Sequence, residues 1–236
     1  MNIKEVISKL SIDEKLTLLT GKDTWNTVAI EEKGVPSICV SDGPHGLRKV
    51  CTNEKGQTFT KEAVCFPTAS ALSATWNTEL AEKVGQAIGE ECSANDVDII
   101  LGPGTNIKRT PLCGRNFEYF SEDPVLAGEL SAAYIKGVQS TGVGTSLKHF
   151  STNNQEYDRF HVNTEVDIRA LREIYLKPFE IAVKKSKPTS VMCAYNRLNG
   201  IYCSENKFLL NDILREEWGF DGFVVSDWGD VHDRAK

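Results

Sequence analysis

The sequence predicts an α/β fold built on a parallel sheet, and two observations lead to that prediction. Short apolar segments alternate with helical patterns along the chain, an order typical of parallel strands joined by helices. Each apolar segment also ends in polar or charged residues. In a barrel, the carboxyl ends of all strands meet on one face, whereas a doubly wound sheet concentrates its ligand contacts at one switch point. Since the polar ends are spread along the whole chain, we predict an incomplete TIM-barrel-like domain.

The elements can be predicted in order from local signals. Strands are expected at the apolar segments, which are residues 37–40, 97–101, 145–147, 190–194 and 222–225. An early helix follows Ser11, which forms a capping box with Glu14, and is expected to end at Gly21. Later helices are predicted to begin after Asn77, after Asp123 with Pro124 in the first turn, and after Asp167. No linker-like stretch divides the chain, so residues 1–236 are predicted to form one unit.

Composition excludes several classes of function. The chain has 236 residues, 40% of them hydrophobic, and a net charge of −6, so no overall basic field attracts nucleic acid. No secretion signal and no apolar stretch long enough for a membrane span is visible, which predicts a cytoplasmic protein. Seven cysteines without a CxxC pair indicate reduced thiols. No ligand spacing indicates a metal, and no glycine-rich loop indicates a nucleotide, so no cofactor is expected.

The polar residues at the strand ends are typical of a sugar-binding pocket. Donors, carboxylates and aromatic rings are all present, and a sugar needs this mixture because each hydroxyl both donates and accepts hydrogen bonds. We expect Asp42 to accept from two hydroxyls, and Lys148 and His149 to donate to a neighbouring one. Asp227, beside Trp228, is then placed to be a nucleophile. In retaining glycoside hydrolysis a second carboxyl group lies roughly 5 to 5.5 Å away and acts as acid and base.

At these residues the chain resembles the N-terminal catalytic domain of glycoside hydrolase family 3 β-glucosidases. The resemblance lies in six motifs in the family's order, SDGPHGLR, GPGTNIKRTPLCGRNFEYFSEDP, KHF, NNQEYDR, MCAYNRLNG and GFDGFVVSDW. It implies that Asp227 is the nucleophile. It also implies a set of substrate-binding residues, namely Asp42, Arg115, Lys148, His149, Arg159, Met192, Tyr195 and Trp228. The substrate implied is a β-glucoside or a related oligosaccharide.

The same resemblance implies that part of the active site lies outside this chain. The segment after Lys148 reads HFSTNNQEYDRF, which differs from the KHFPGHG of the family's hexosaminidase branch. In the glucosidase branch the acid/base is a glutamate of a following α/β-sandwich domain. We therefore expect residues 1–236 to be the N-terminal part of the catalytic domain, without its closing strand-and-helix unit and without that second domain.

Structural roles compete with several of these assignments. An aspartate at a strand end is often a helix cap or a turn residue, which is a real alternative for Asp42. Arg115 can form a structural ion pair with Glu118, and we expect that pair. Met192 can belong to the core. Lys148 and His149 are neighbours, and adjacent strand residues face opposite ways, so both reach one pocket only if the backbone bends there.

Two other functions remain open from the sequence. The chain can be a non-catalytic fragment, or half of a split enzyme, that only binds sugar. Alternatively, Lys148 can form a Schiff base, as in an aldolase-type barrel.

Overall fold

The structure is a computed structural model that describes residues 3–231. Its strands, in chain order, are β1 (Val40–Asp42), β2 (Val50–Thr52), β3 (Thr58–Thr60), β4 (Ile99–Leu101), β5 (Gly144–Phe150), β6 (Asn163–Thr164), β7 (Ser190–Cys193), β8 (Arg197–Leu198), β9 (Ile201–Tyr202) and β10 (Phe223–Val225). The α-helices are α1 (Ile3–Lys9), α2 (Ile12–Thr17), α3 (Ala69–Ser73), α4 (Thr78–Ala94), α5 (Pro124–Gln139), α6 (Ile168–Ala170) and α7 (Lys177–Ser186). Two π-helical segments span Leu171–Tyr175 and Phe208–Glu217.

Five of these strands form the main sheet, in the order β1-β4-β5-β7-β10. Every neighbouring pair is parallel, and the spatial order is the same as the chain order. A sheet with this order has no switch point, so all its carboxyl ends serve one face. The prediction of a partial TIM-barrel-like α/β domain is confirmed.

The predicted helix starts are confirmed by their caps. The Ser11 side chain accepts from the Glu14 amide and the Glu14 carboxylate accepts from the Ser11 amide, which completes the capping box. Asn77 caps α4, Asp123 caps α5 and Asp167 caps α6, each through its side-chain oxygen. These caps begin the elements that carry the chain back across the sheet.

Some predicted boundaries are wrong. The helix after Ser11 ends at Thr17 and not at Gly21, whose backbone pairs with Thr27 instead. The first strand begins three residues late, at Val40, because the segment before it bonds elsewhere: the Ile38 carbonyl accepts from the Thr27 amide. Strand β5 is longer than residues 145–147 and runs on to Phe150.

Two small sheets were not predicted. Strands β2 and β3 form an antiparallel hairpin, and β6, β8 and β9 form a three-stranded sheet. These strands are two or three residues long, so the apolar alternation that marks a strand has no room to develop. Both sheets lie in the connections that follow strands of the main sheet.

Close packing of α4 on α5 depends on glycine. A Cβ atom added to Gly137 would lie 2.0 Å from the carbonyl oxygen of Glu82, and one added to Gly85 would lie 2.3 Å from that of Tyr134. The two helices therefore approach backbone to backbone and cover the β4 side of the sheet. An apolar cluster around Phe150, Phe179 and Trp218 fills the space between β5, β7 and their helices.

Within residues 3–231, the longest apolar helical stretch falls short of what a membrane crossing needs.

Candidate active site

Ten side chains from the strand ends and loops surround one cavity of about 220 Å³. We call it the strand-end cavity; its lining residues are Trp25, Asp42, Arg115, Lys148, His149, Arg159, Met192, Tyr195, Asp227 and Trp228. The nine residues singled out from the sequence are all among them. Its volume is below the range of roughly 300 to 1,000 Å³ typical of pockets for drug-sized ligands, which suits a small polar molecule.

Asp227 follows strand β10 and has two unlike carboxylate oxygens. Its Oδ1 accepts from the Tyr195 hydroxyl at 2.9 Å and from the Trp228 amide at 2.8 Å. Its Oδ2 lies 3.8 Å from His149 Nε2 and accepts no hydrogen bond from the described residues. Burial, with the nearby charge of Asp227, raises the pKa of Tyr195, so the phenol stays protonated and remains a donor. The carboxylate is thus held by one oxygen while the other is available to react.

His149 is held in one protonation state by its neighbours. The Arg115 guanidinium, which can only donate, lies 2.7 Å from His149 Nε2, so this nitrogen accepts. The ring proton is then on Nδ1, which donates to the Tyr119 hydroxyl at 3.1 Å. Burial, and then the charges of Arg115 and Lys148, set the pKa of His149 well below its usual range. In this arrangement both ring nitrogens of His149 are already bonded to protein groups, and neither offers the donor that we expected from the sequence.

The backbone of β5 brings both Lys148 and His149 to the cavity. The register of β5 against β7 shifts between Leu147 and Phe150, which breaks the alternation of faces that would have separated the two side chains. Asn106 fixes the irregular segment: its Oδ1 accepts from the His149 amide at 2.7 Å and its Nδ2 donates to the His149 carbonyl at 2.8 Å. The bend that the sequence argument required is therefore present.

Lys148 is buried, with 4% of its surface exposed. Its ammonium forms no hydrogen bond or ion pair with another residue in the described part of the chain. Burial of a charge without a partner is costly in an apolar environment. A polar ligand that enters the cavity can therefore gain a strong charge-assisted hydrogen bond from Lys148.

Two arginines line the cavity, and each is held by an ion pair with a glutamate. Arg115 pairs with Glu118, which confirms the structural pair expected between them. Arg159 bonds to Glu156 at 3.2 Å and lies over the Tyr195 ring, 5.0 Å from its centroid. Each guanidinium is oriented by a carboxylate that does not itself line the cavity.

Asp42, at the end of β1, forms its ion pair with a residue that we did not predict. The Asp42 carboxylate accepts from Arg48 at 2.9 Å, and the Arg48 amide donates to the Asp42 carbonyl at 2.9 Å. The turn at this position is closed by Arg48 and not by an Asx-type bond of Asp42 to the next residues. The Asp42 side chain is left to face the cavity.

Aromatic rings form the side of the cavity next to Asp227. Trp228 is 37% exposed, donates from its ring nitrogen to the Thr24 carbonyl at 3.0 Å, and lies 5.8 Å from Trp25 between ring centroids. Met192 is buried on β7 and also lines the cavity, so its core and site roles coexist. The flat face that a sugar ring needs is available here.

Sequence reasoning missed Trp25, Arg48, Asn106 and Tyr119. Trp25 comes from an N-terminal loop with no strand or helix signal, and Asn106 and Tyr119 act through other residues. Arg48, Asn106 and Tyr119 stand within motifs quoted above, where they were interpreted only as parts of a pattern. No group of three His, Cys, Asp or Glu side chains within residues 3–231 is placed to hold a metal ion.

A parallel (β/α) sheet with charged and aromatic groups gathered at its carboxyl end defines the chain as part of a barrel-type domain. The chain belongs to glycoside hydrolase family 3, since residues 27–236 match the model described as the glycosyl hydrolase family 3 N terminal domain.

Similar proteins are glycosidases of about three times the length. The chain is 57% identical to thermostable beta-glucosidase B of Acetivibrio thermocellus over 100% of its own length and 31% of that protein. It is 54% identical to an exo-alpha-(1->6)-L-arabinopyranosidase of Bifidobacterium longum, covering 97% of the chain and 31% of the relative. Beta-glucosidase 3B of Thermotoga neapolitana, solved with glucose, has a TM-score of 0.92 and 51% identity over 97% of this chain and 34% of that one.

Proposed function

We propose that this chain carries the nucleophile and the glycone-binding wall of a retaining β-glucosidase. The observation that supports it best is the asymmetric environment of Asp227. Hydrogen bonds fix Oδ1 and leave Oδ2 facing a small cavity, as attack on an anomeric carbon requires. In the proposed reaction Oδ2 forms the bond to the anomeric carbon while the bond to the leaving oxygen breaks.

The polar wall suits one sugar ring. Lys148 and Arg159 supply donors, Asp42 supplies acceptors, and Trp228 supplies a flat apolar face. Charged donors and acceptors form the stronger hydrogen bonds with hydroxyls. Family membership and the β-glucosidases among the relatives support β-glucosides as the substrate class, although two relatives are named for arabinopyranosides.

Protonation of the leaving oxygen falls to a group outside this chain in our proposal. Of the described residues that line the strand-end cavity, the carboxylates are Asp42 and Asp227, which stand at opposite edges of the sheet. The nearby acids are engaged elsewhere: Glu118 pairs with Arg115, Glu156 with Arg159, and Asp158 with His161. We propose that a glutamate of a further domain acts as acid and base.

Covalent trapping on this chain tests the proposal. The reagent is a 2-fluoro β-glucoside whose leaving group is 2,4-dinitrophenolate. Because this leaving group departs without protonation, Asp227 alone can form the glycosyl adduct. We expect intact-mass spectrometry to show one added fluorosugar, mapping to Asp227. The variant Asp227→Asn should form no adduct, whereas Asp221→Asn, an exposed aspartate on the same segment, should still form it.

Cellobiose distinguishes this proposal from an enzyme that is complete in itself. General acid catalysis is worth roughly 10² to 10⁴ in rate, so we expect no measurable cleavage by the chain alone. Turnover of cellobiose would mean that an acid within the chain protonates the leaving oxygen. If the chain binds glucose but forms no adduct, the alternative of a non-catalytic, sugar-binding fragment is correct. An adduct at any other residue would contradict the role of Asp227.

A further inference from the structure

Asn153 is a buried asparagine three residues beyond the end of β5, and it does not line the strand-end cavity. With 2% of its surface exposed, it donates from Nδ2 to the Tyr119 hydroxyl oxygen at 3.0 Å and to Glu156 Oε1 at 3.0 Å. A carboxylate oxygen can only accept, so the amide nitrogen must point toward these two groups. One amide group thus joins the segment before α5 to the loop after β5.

The bond to Tyr119 leads to the histidine beside the nucleophile. Tyr119 is buried, and its hydroxyl oxygen also accepts from His149 Nδ1 at 3.1 Å. His149 Nε2 accepts from Arg115 at 2.7 Å and lies 3.8 Å from Asp227 Oδ2. Asn153 is therefore connected through two hydrogen bonds to the ring that stands next to the reacting oxygen.

The bond to Glu156 leads to the other oxygen of the same carboxylate. The second oxygen of Glu156 accepts from Arg159 at 3.2 Å, and the Arg159 guanidinium lies over the Tyr195 ring, 5.0 Å from its centroid. The Tyr195 hydroxyl donates to Asp227 Oδ1 at 2.9 Å. The two connections that begin at Asn153 thus end on opposite sides of the Asp227 carboxylate.

We propose that Asn153 is a positioning residue, which holds the His149 side and the Arg159 side of the strand-end cavity in register around Asp227. The inference rests on the function proposed above. Asn153 acts through Tyr119 and Glu156 and does not itself contact the sugar. A displacement of about 1 Å at a reacting group can cost about a hundredfold in rate, so a buried link of this kind can matter to the reaction.

The kinetics of covalent trapping test this role. Asn153→Ala and the parent chain are treated with the 2,4-dinitrophenyl 2-fluoro β-glucoside at several concentrations, and circular dichroism checks that both are folded. We expect the limiting rate constant for labelling of Asp227 to fall by about tenfold to a hundredfold, because the groups around the carboxylate are no longer held in register. The half-saturating concentration should change less, since Asp42 and Lys148 still bind the sugar hydroxyls.

Asn199→Ala is the matched control. The Asn199 side chain also forms two hydrogen bonds, accepting from the Val166 amide at 2.9 Å and donating to the Val166 carbonyl at 3.0 Å, and it does not line the strand-end cavity. This variant should be labelled at the parent's limiting rate. An equal fall in both variants would show that any loss of buried or turn hydrogen bonds slows labelling.

Asn153→Asp tests whether donation by this side chain is what matters. As a carboxylate it would present an acceptor to Tyr119 and Glu156, and the cations nearby, Arg115 and Arg159, are each paired with a glutamate. Burial and the charge of Glu156 favour the protonated form, which can donate one of the two bonds. The labelling rate of this variant relative to the parent should therefore rise from pH 8 to pH 5, whereas that of Asn153→Ala should not.

The outcomes separate this inference from the proposed function. If the parent chain is labelled and Asn153→Ala is labelled at the same limiting rate, Asn153 is not a positioning residue and the proposed function stands. A relative rate of Asn153→Asp that is constant with pH would contradict the role of donation. If the parent chain is not labelled at Asp227, the proposed function fails, and this inference fails with it.

Discussion

Strand β5, in the middle of the sheet, and strands β1 and β10, at its two edges, support the strand-end cavity in different ways. His149 on β5 is buried and bonded at both ring nitrogens and at both backbone groups. Asp42 at the β1 edge depends on Arg48, whose side chain is 60% exposed. At the β10 edge, Asp227 is held through one carboxylate oxygen only.

This difference indicates a division of labour within the site. A buried polar group that satisfies all its hydrogen bonds is rigid, and the loss of one partner is costly. The carboxylates at the edges keep unused hydrogen-bonding capacity, with which they can bind or react with a substrate. We infer that the centre of the sheet sets the geometry, while the edges supply the groups that bind or react.

The largest expected effect on stability lies at the centre. Asn106→Ala removes the partners of both the amide and the carbonyl of His149, and each buried group left without a partner costs about 1–3 kcal/mol. We expect the free energy of unfolding to fall by about 2 kcal/mol or more, measured by urea denaturation. Asn106→Asp keeps the acceptor for the His149 amide but turns a second carboxylate oxygen toward the His149 carbonyl, so at pH 7 it should not recover the lost stability.

Asn53→Ala provides the matched control for this prediction. Asn53 is exposed and its side chain bonds only within its own turn, so its loss should cost about 1 kcal/mol or less. Equal effects of Asn106→Ala and Asn53→Ala would show that the centre is no more tightly coupled than a surface turn.

A second prediction separates the centre from the β10 edge by pH. Burial, and then the charge of Asp227, raises the pKa of Asp230 to about 7, from an ordinary value of 3.8. Between these values the folded chain keeps a proton that the unfolded chain has lost, so Asp230 lowers stability as pH rises through this window. His149 acts in the opposite direction: its pKa is depressed, so its contribution is lost as pH falls below 6.5.

Asp230→Asn should separate the two contributions, because it removes the titration of Asp230 and leaves that of His149. The variant should match the parent chain near pH 4 and exceed it in free energy of unfolding at pH 8, with the gain developing between them. Urea denaturation at pH 4, 6 and 8 measures this, and Asp221→Asn, at an exposed aspartate, should show no such trend. A difference that is constant with pH would contradict the raised pKa of Asp230.

Residues at the strand ends could be predicted from the sequence, whereas residues that act through other residues could not. Asp42, Lys148, Tyr195 and Asp227 were found because each follows an apolar segment, and parallel strands bring such ends together. Tyr119 could not be found in this way. It acts by accepting from His149 and Asn153, and a hydrogen bond between residues 30 or more positions apart leaves no local pattern.

The protonation state of His149 was also beyond the sequence. The motif places a histidine beside Lys148, but only the position of the Arg115 guanidinium decides that Nε2 accepts. The β2–β3 hairpin was missed for a different reason, since strands of three residues carry too little alternation to be recognised.

The smallest expected effect lies at the β1 edge, in the ion pair of Asp42 with Arg48. Although the two groups are 2.9 Å apart, the Arg48 side chain is 60% exposed, and exposed pairs contribute about 0–1 kcal/mol. A double-mutant cycle with Arg48→Ala and Asp42→Asn, measured by urea denaturation, should give a coupling free energy within that range. Because salt screens exposed charges, the coupling should decrease further in about 1 M NaCl. A coupling well above 1 kcal/mol that persists in salt would mean that the edge is as tightly built as the centre, and the division of labour between them would not hold.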